Sequence, residues 1–356
     1  MVFRSLFRIA CLALATALVI PATADAATAR TKSRDARAQK LSVTKTSVTK
    51  ASSLKSSRLA PRASKAVAKT SPAASRAKAR KVTLRELRSE PEFDPEGNPL
   101  LRSSAFVVQD IETGRVLLER NASMVQPIAS ISKLMTAMVV LDANLRLDEV
   151  IEISDDDIDR LKGTSSHLPV GTRLTREDLL RLALMASENR AASALGRAYP
   201  GGLPAFIEAM NHKAASLNLQ ETRFFDSSGL NKNNVASARD LVGMTAAASH
   251  YPLIREFSTL PEYSFLIKGR LRAFHNTNAL VRDSDWQIDL QKTGYISESG
   301  KCLVMRAMLN NRPTAIVLLD SWGRYTRVAD ANRIRKWVEK MVEPARIAHG
   351  PVSGQL

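Results

Sequence analysis

Pro127-Ile128-Ala129-Ser130-Ile131-Ser132-Lys133-Leu134-Met135-Thr136-Ala137-Met138-Val139-Val140-Leu141 is the stretch on which the reading of this chain turns. From Leu134 onward it is apolar nearly all round, the pattern of a helix buried at the centre of a domain rather than lying on its surface. Ser130 stands at the start of this helix and Lys133 three residues on, almost one turn away, so the two share a face. A lysine in apolar surroundings has a lowered pKa and can accept a proton. A serine at a helix N-terminus sits where the dipole and free N–H groups favour developing negative charge. The pair reads as nucleophile and base. The spacing alone decides nothing, because Ser42…Lys45, Ser47…Lys50, Ser52…Lys55 and Ser75…Lys78 repeat it. Only at Ser130 does a buried helix follow.

On either side the elements change type. Phe106-Val107-Val108 and Val116-Leu117-Leu118 flank Asp110-Ile111-Glu112-Thr113-Gly114 and read as a hairpin. Residues 175–220 are largely helical, opened by Thr175-Arg176-Glu177-Asp178, which resembles a capping box. Ser237-Ala238-Arg239-Asp240 opens another capped helix. Strands return at Trp286–Tyr295, Leu303–Leu309 and Thr314–Leu319, and a last amphipathic helix covers about Val328 to Met341. Strands at both ends and helices between them argue for an α+β fold, an antiparallel sheet with a largely helical insert.

Two further motifs complete the chemistry. Ser187-Glu188-Asn189 interrupts a helical pattern, so its side chains can turn toward a cleft. There the Ser187 hydroxyl can pass a proton between Lys133 and a leaving amine, and the Asn189 amide can hold a peptide carbonyl. Glu188 reads as a solvated or structural carboxylate. Lys292-Thr293-Gly294 lies in a strand-like segment, where Lys292 and Thr293 can clamp a carboxylate. Gly294 would let a ligand's backbone approach the strand, and an extended substrate could pair with its edge. The N–H groups of Ser130 and Tyr295 would form the oxyanion hole. In this order the three motifs are close to the set known from serine acyl-transfer enzymes. Rival chemistries find little support. The five histidines, at 167, 212, 250, 275 and 349, show no compact metal spacing, and no G-x-S-x-G elbow is present. Cys302, in an apolar run, reads as a small buried hydrophobe.

The ends of the chain are of another character. Arg4 and Arg8, the apolar run Ile9 to Ile20 and Ala24-Asp25-Ala26 make up the three parts of a cleavable signal peptide, residues 1–26. Cys302 would then be the sole cysteine of the mature chain. The net charge of +17 is concentrated in residues 27–81, which hold 16 Lys and Arg against the single acid Asp35. This aromatic-free segment cannot bury enough apolar surface to fold. Together with an acidic, proline-punctuated stretch it is read as a disordered segment and linker over 27–99. Residues 100–345 form the enzyme domain and 346–356 a short tail. The basic segment has the composition of a polyanion-binding tail. The signal peptide argues against nucleic acid as its target and favours anionic envelope surfaces.

The motifs sit in wider stretches that resemble a known family. Besides Pro127–Leu141 these are Leu182-Ala183-Leu184-Met185-Ala186-Ser187-Glu188-Asn189-Arg190-Ala191-Ala192, Tyr199-Pro200-Gly201-Gly202, Asn276-Thr277-Asn278, Lys292-Thr293-Gly294-Tyr295 and Cys302-Leu303-Val304-Met305-Arg306. Over roughly residues 100–340 the chain resembles the D-alanyl-D-alanine endopeptidases among the low-molecular-mass serine DD-peptidases of Gram-negative bacteria. The resemblance implies the serine β-lactamase/DD-peptidase fold, with the antiparallel sheet flanked by helices. It implies a periplasmic enzyme without cofactor or metal that cuts peptidoglycan peptide crosslinks and is acylated by β-lactams. Ser130, Lys133, Ser187, Asn189, Lys292, Thr293 and Gly294 match the family's motif positions. A carboxypeptidase that trims terminal D-Ala is the near alternative, and an envelope polyanion-binding protein acting through its tail is the alternative of another class. The basic segment is not part of the family pattern.

Overall fold

The computed structural model describes residues 91–341. The signal peptide, the basic segment, residues 82–90 of the linker, and residues 342–356, which include the expected domain end and tail, lie outside the described residues.

Five antiparallel strands form the central sheet: β1 (Ser103–Asp110), β2 (Val116–Arg120), β9 (Ile288–Ile296), β10 (Gly300–Leu309) and β11 (Arg312–Ser321), in the order β2-β1-β11-β10-β9. Two short antiparallel pairs stand apart from it, β3 (Gln126–Pro127) with β6 (Val235–Ala236) and β4 (Val150–Glu152) with β5 (Arg173–Thr175). Both faces of the central sheet are covered at β1, β10 and β11, which is why their central stretches read as unbroken apolar runs and not as an alternation. On β11, Ala315, Val317 and Leu319 join one core while Ile316 and Leu318 join another. Val304 and Leu303 of β10 divide in the same way. The smaller core is closed by the helix α7 (Thr326–Lys340) through Ala331, Ile334 and Val338. The larger core holds the helices α1 (Lys133–Asp142), α2 (Arg176–Met185), α3 (Asn189–Arg197), α4 (Gly202–Ser216), α5 (Ala238–Ala248) and α6 (Pro252–Thr259). Every residue of α1 from Lys133 to Val140 is buried, as expected of a central helix.

The caps act as the sequence indicates, with a difference. Thr175 accepts from the Asp178 N–H and Ser237 from the Asp240 N–H. The reciprocal half of each box is missing, because Asp178 is engaged by Arg181 and Asp240 by Thr222 and the Glu221 N–H. Two other features depart from expectation. Residues 91–99, read as linker, form a turn tied to α7: Asp94 accepts from Asn98, Phe93 bridges to Pro99, and Lys336 pairs with Glu92 at 2.8 Å. Of the acidic residues that made this stretch read as linker, Glu92 anchors it to α7 and Asp94 holds its turn. The second is a hairpin, β7 (Glu262–Ile267) and β8 (Arg270–His275), joined by Lys268 and Gly269, both with positive φ. A lysine-glycine pair between two β-rich runs was its signal.

Candidate active site

The segment Ala129–Ser132 is a 3-10 turn, and the α-helix proper starts at Lys133 rather than Ser130. Ala129 has a φ of +49°, a left-handed value that a residue with a side chain seldom adopts. Contacts from two directions hold this turn. A Cβ on Gly229 would stand 2.0 Å from the Ala129 carbonyl oxygen, and one on Gly294 would stand 2.8 Å from that of Ile128. Gly294 was expected to admit a ligand's backbone; in the structure it stands against the backbone of the turn that carries Ser130. This seats the turn against β9, the edge strand of the sheet.

Lys133 is buried, and its Nζ donates to Ser130 Oγ (2.8 Å), Asn189 Oδ1 (2.8 Å) and the Ser228 carbonyl (2.5 Å). An ammonium has three N–H groups for three acceptors. A neutral amine keeps two for Asn189 and Ser228 and turns its lone pair to the Ser130 hydroxyl, the arrangement that removes a proton. Burial lowers the Lys133 pKa to about 7, against the opposing charges of Asp226 and Glu188. Near neutrality, then, both forms are populated.

Ser187-Glu188-Asn189 spans the break between α2 and α3. Ser187 has a φ of +58° and accepts from Lys292 Nζ at 2.8 Å. Asn189 accepts from Lys133 and donates through Nδ2 to Thr164 Oγ1 at 3.0 Å. Glu188 resolves to the structural alternative: it is buried and accepts from Ser166 Oγ and the His167 N–H. Lys292 is fully buried and also donates to the Thr293 carbonyl. Burial, then the charges of Lys133 and Arg327, push its pKa well below the usual lysine value. Thr293 Oγ1 lies 2.6 Å from Thr277 Oγ1. The Tyr295 side chain is exposed, with the Lys301 ammonium over its ring. The expected residues thus come together as two Ser–Lys pairs, Ser130 with Lys133 and Ser187 with Lys292, close enough for the two lysine charges to interact.

Sequence reading missed the segment that braces the first pair. Asp226 accepts from the N–H groups of Ser228, Gly229 and Asn231, so the loop curls around it and aims the Ser228 carbonyl at Lys133. Buried Asn234 ties Asp226 to Ser132 Oγ. The run Asp226-Ser227-Ser228-Gly229 has the composition of a turn and nothing in it marks a partner far away in sequence. Arg327, also missed, is largely buried and donates to the Gly294 and Cys302 carbonyls. The rival nucleophile fares as expected: burial pushes the Cys302 thiol up to about 11. His275 pairs with Glu262 at 3.1 Å in the open.

Comparison with known proteins agrees with this geometry. Residues 94–322 match peptidase family S11, D-alanyl-D-alanine carboxypeptidase. A D-alanyl-D-alanine endopeptidase of Pseudomonas aeruginosa is 47% identical over 241 residues, covering 67% of this chain and 78% of that protein. One from Escherichia coli K12 is 46% identical over 243 residues, covering 68% and 78%. In structure, the Streptomyces K15 DD-transpeptidase superposes with a TM-score of 0.63 at 28% identity, over 68% of this chain and 98% of that one. A buried Ser–Lys pair in this fold, at these identities, places the chain in peptidase family S11, and it is a serine-type peptidase.

Proposed function

We propose that this protein is a periplasmic DD-endopeptidase that hydrolyses D-alanyl–meso-diaminopimelyl crosslinks of peptidoglycan and is inhibited by penicillins. The observation that carries the chemistry is Lys133 Nζ at 2.8 Å from Ser130 Oγ, with a pKa of about 7. Neutral Lys133 takes the Ser130 proton as Oγ attacks the D-alanyl carbonyl carbon. The N–H groups of Ser130 and Tyr295 hold the oxyanion. As the intermediate collapses and the C–N bond breaks, the proton that Lys133 took from Ser130 passes through Ser187 to the leaving amine. Water then gives a proton to Lys133 and attacks the acyl carbon; Lys133 returns that proton to Ser130 Oγ as the ester bond breaks and the D-alanyl carboxylate leaves. Lys292 and Thr293 receive the carboxylate beyond the scissile bond; its arrival beside a buried lysine favours the charged form of that lysine. Asn189 holds the substrate's peptide carbonyl with the N–H that Thr164 leaves free.

The names of the two relatives at 46% and 47% identity favour crosslink cleavage, and the family name keeps terminal trimming as the second reading. Digestion of purified muropeptides separates them. Crosslinked dimers should fall to monomers while pentapeptide monomers persist. Free D-Ala released from intact dimers would make the enzyme a carboxypeptidase.

The periplasmic assignment rests on the three-part N-terminal pattern. Among the described residues no helix is long and apolar enough to cross a membrane. For residues 27–81 we propose contact with anionic envelope material. Their deletion should spare penicillin acylation and weaken co-sedimentation with sacculi and anionic vesicles, most visibly at low salt. Salt-insensitive binding equal to that of the full protein would reduce the segment to a spacer.

A further inference from the structure

The loop 159–167 lies outside the three motifs, yet it ends on the catalytic amine. Asp159 Oδ1 accepts from the N–H groups of Leu161 and Lys162, and Oδ2 accepts from the N–H and the hydroxyl of Thr164, the last at 2.7 Å. Thr164 Oγ1 in turn accepts from Asn189 Nδ2 at 3.0 Å, and Asn189 Oδ1 accepts from Lys133 Nζ at 2.8 Å. The direction of every bond in this chain is fixed by its first member. A carboxylate only accepts, so Thr164 spends its one proton on Asp159. Thr164 can then only accept from Asn189, which must present its NH2 group there and its carbonyl to Lys133. The loop is fastened at both ends. Ser166 and His167 bind Glu188, and Lys162 reaches the β9–β10 turn, where its Nζ lies 2.5 Å from Glu298 Oε1.

We propose that Thr164, polarised by Asp159, is a positioning residue for acylation, setting the orientation of the Asn189 amide and through it the Lys133 amine. The inference rests on the reading of Ser130 and Lys133 as the acylating pair. It follows from chemistry that the amide could otherwise satisfy. If Asn189 were reversed, its N–H would point at Lys133. That N–H would repel the ammonium and, in the neutral form, occupy the lone pair that must take the Ser130 proton. Thr164 is exposed, so its bond adds little to stability, and water could fill the same place without fixing a direction. Its effect therefore falls on rate and pH profile and leaves the fold alone.

The test is the second-order rate of penicillin acylation against pH, with thermal melting alongside. In Thr164→Val the plateau should fall roughly tenfold to a hundredfold. The acid limb should move to lower pH, because an acceptor that favours the ammonium is lost. The other charged groups facing Lys133 are Asp226, Glu188 and Lys292, and the substitution leaves all three in place. Thr164→Ser should restore both plateau and limb, and Asp159→Asn should share the defect in part. Glu298→Gln, which unfastens the loop without touching this chain of bonds, should acylate within about twofold of wild type. A loop that merely excludes water gives the opposite sign: Thr164→Val would admit solvent and move the limb to higher pH. That result overturns the proposal, as does a wild-type profile in Thr164→Val, or a defect in Glu298→Gln or Thr164→Ser equal to that of Thr164→Val. Failure of the wild-type protein to acylate would instead refute the acylating pair itself.

Discussion

Ser130→Ala should take up no penicillin, whereas wild type gains one covalent penicilloyl group on the tryptic peptide that contains Ser130. Muropeptide cleavage should fall by on the order of 10⁶, the scale of losing a serine nucleophile outright. Melting should change little, since removing a half-exposed hydroxyl costs within about 1 kcal/mol. The experiment is sharper than it looks, because the site holds two Ser–Lys pairs at the same 2.8 Å. Distance does not distinguish them, and both lysines are depressed by burial. What distinguishes them is the place where negative charge would form. Ser130 lies in the first turn leading into α1, where N–H groups lack intrahelical acceptors. The close seating of Gly294 brings the edge strand β9 to within reach of the same spot. Ser187 lies in the break between α2 and α3 with left-handed backbone, outside the turn that Gly229 and Gly294 seat against β9. Label on the Ser187 peptide, or equal labelling of Ser130→Ala and wild type, would overturn the assignment.

How far this site could be read from sequence follows from which contacts are local. Ser130 and Lys133 are three residues apart on one element, so their pairing is dictated by helical geometry. The break at Ser187 was visible because an apolar helical pattern stops at Met185 and resumes after Asn189. The inner strands were visible because burial on both faces leaves the middles of β1, β10 and β11 apolar. The contacts that went unread are those made between distant segments by ordinary polar residues. Ser228 and Asp226 look like any turn, and their bearing on Lys133 exists only after the chain has folded. Gly294 was marked as a site of close approach, but the thing approaching was taken for a ligand; periodicity gives the face a glycine occupies and not the identity of its neighbour. The boundary near residue 100 was set late for a related reason. Glu92 and Phe93 carry no periodicity over so short a span, and their anchors on α7, Lys336 and Lys340, lie at the far end of the chain.

Acylation by penicillin should rise with pH through a single limb near 7, and Lys133→Arg should be flat and low, down by roughly 10³ to 10⁴ at the plateau. The sign follows from what the amine must do. It serves as a base only when neutral, so the rate tracks the fraction unprotonated: about a tenth at pH 6 and about nine tenths at pH 8 for a pKa of about 7. Burial sets the fall from the ordinary lysine value, and the carboxylates of Asp226 and Glu188 limit it. Without those two charges the amine would be a weaker base, neutral at lower pH but less able to hold the Ser130 proton. Lys292 lacks such support: the charges bearing on it are those of Lys133 and Arg327, both of which disfavour its ammonium. The limb near 7 is assigned to Lys133, whose Nζ touches Ser130 Oγ. Arginine at 133 cannot give up its proton and so cannot act in either half of the reaction. A stopped-flow profile from pH 5 to pH 10 measures the limb directly. A midpoint near the ordinary lysine value would show that water reaches Nζ, and substantial acylation by Lys133→Arg would move the role of base to Lys292.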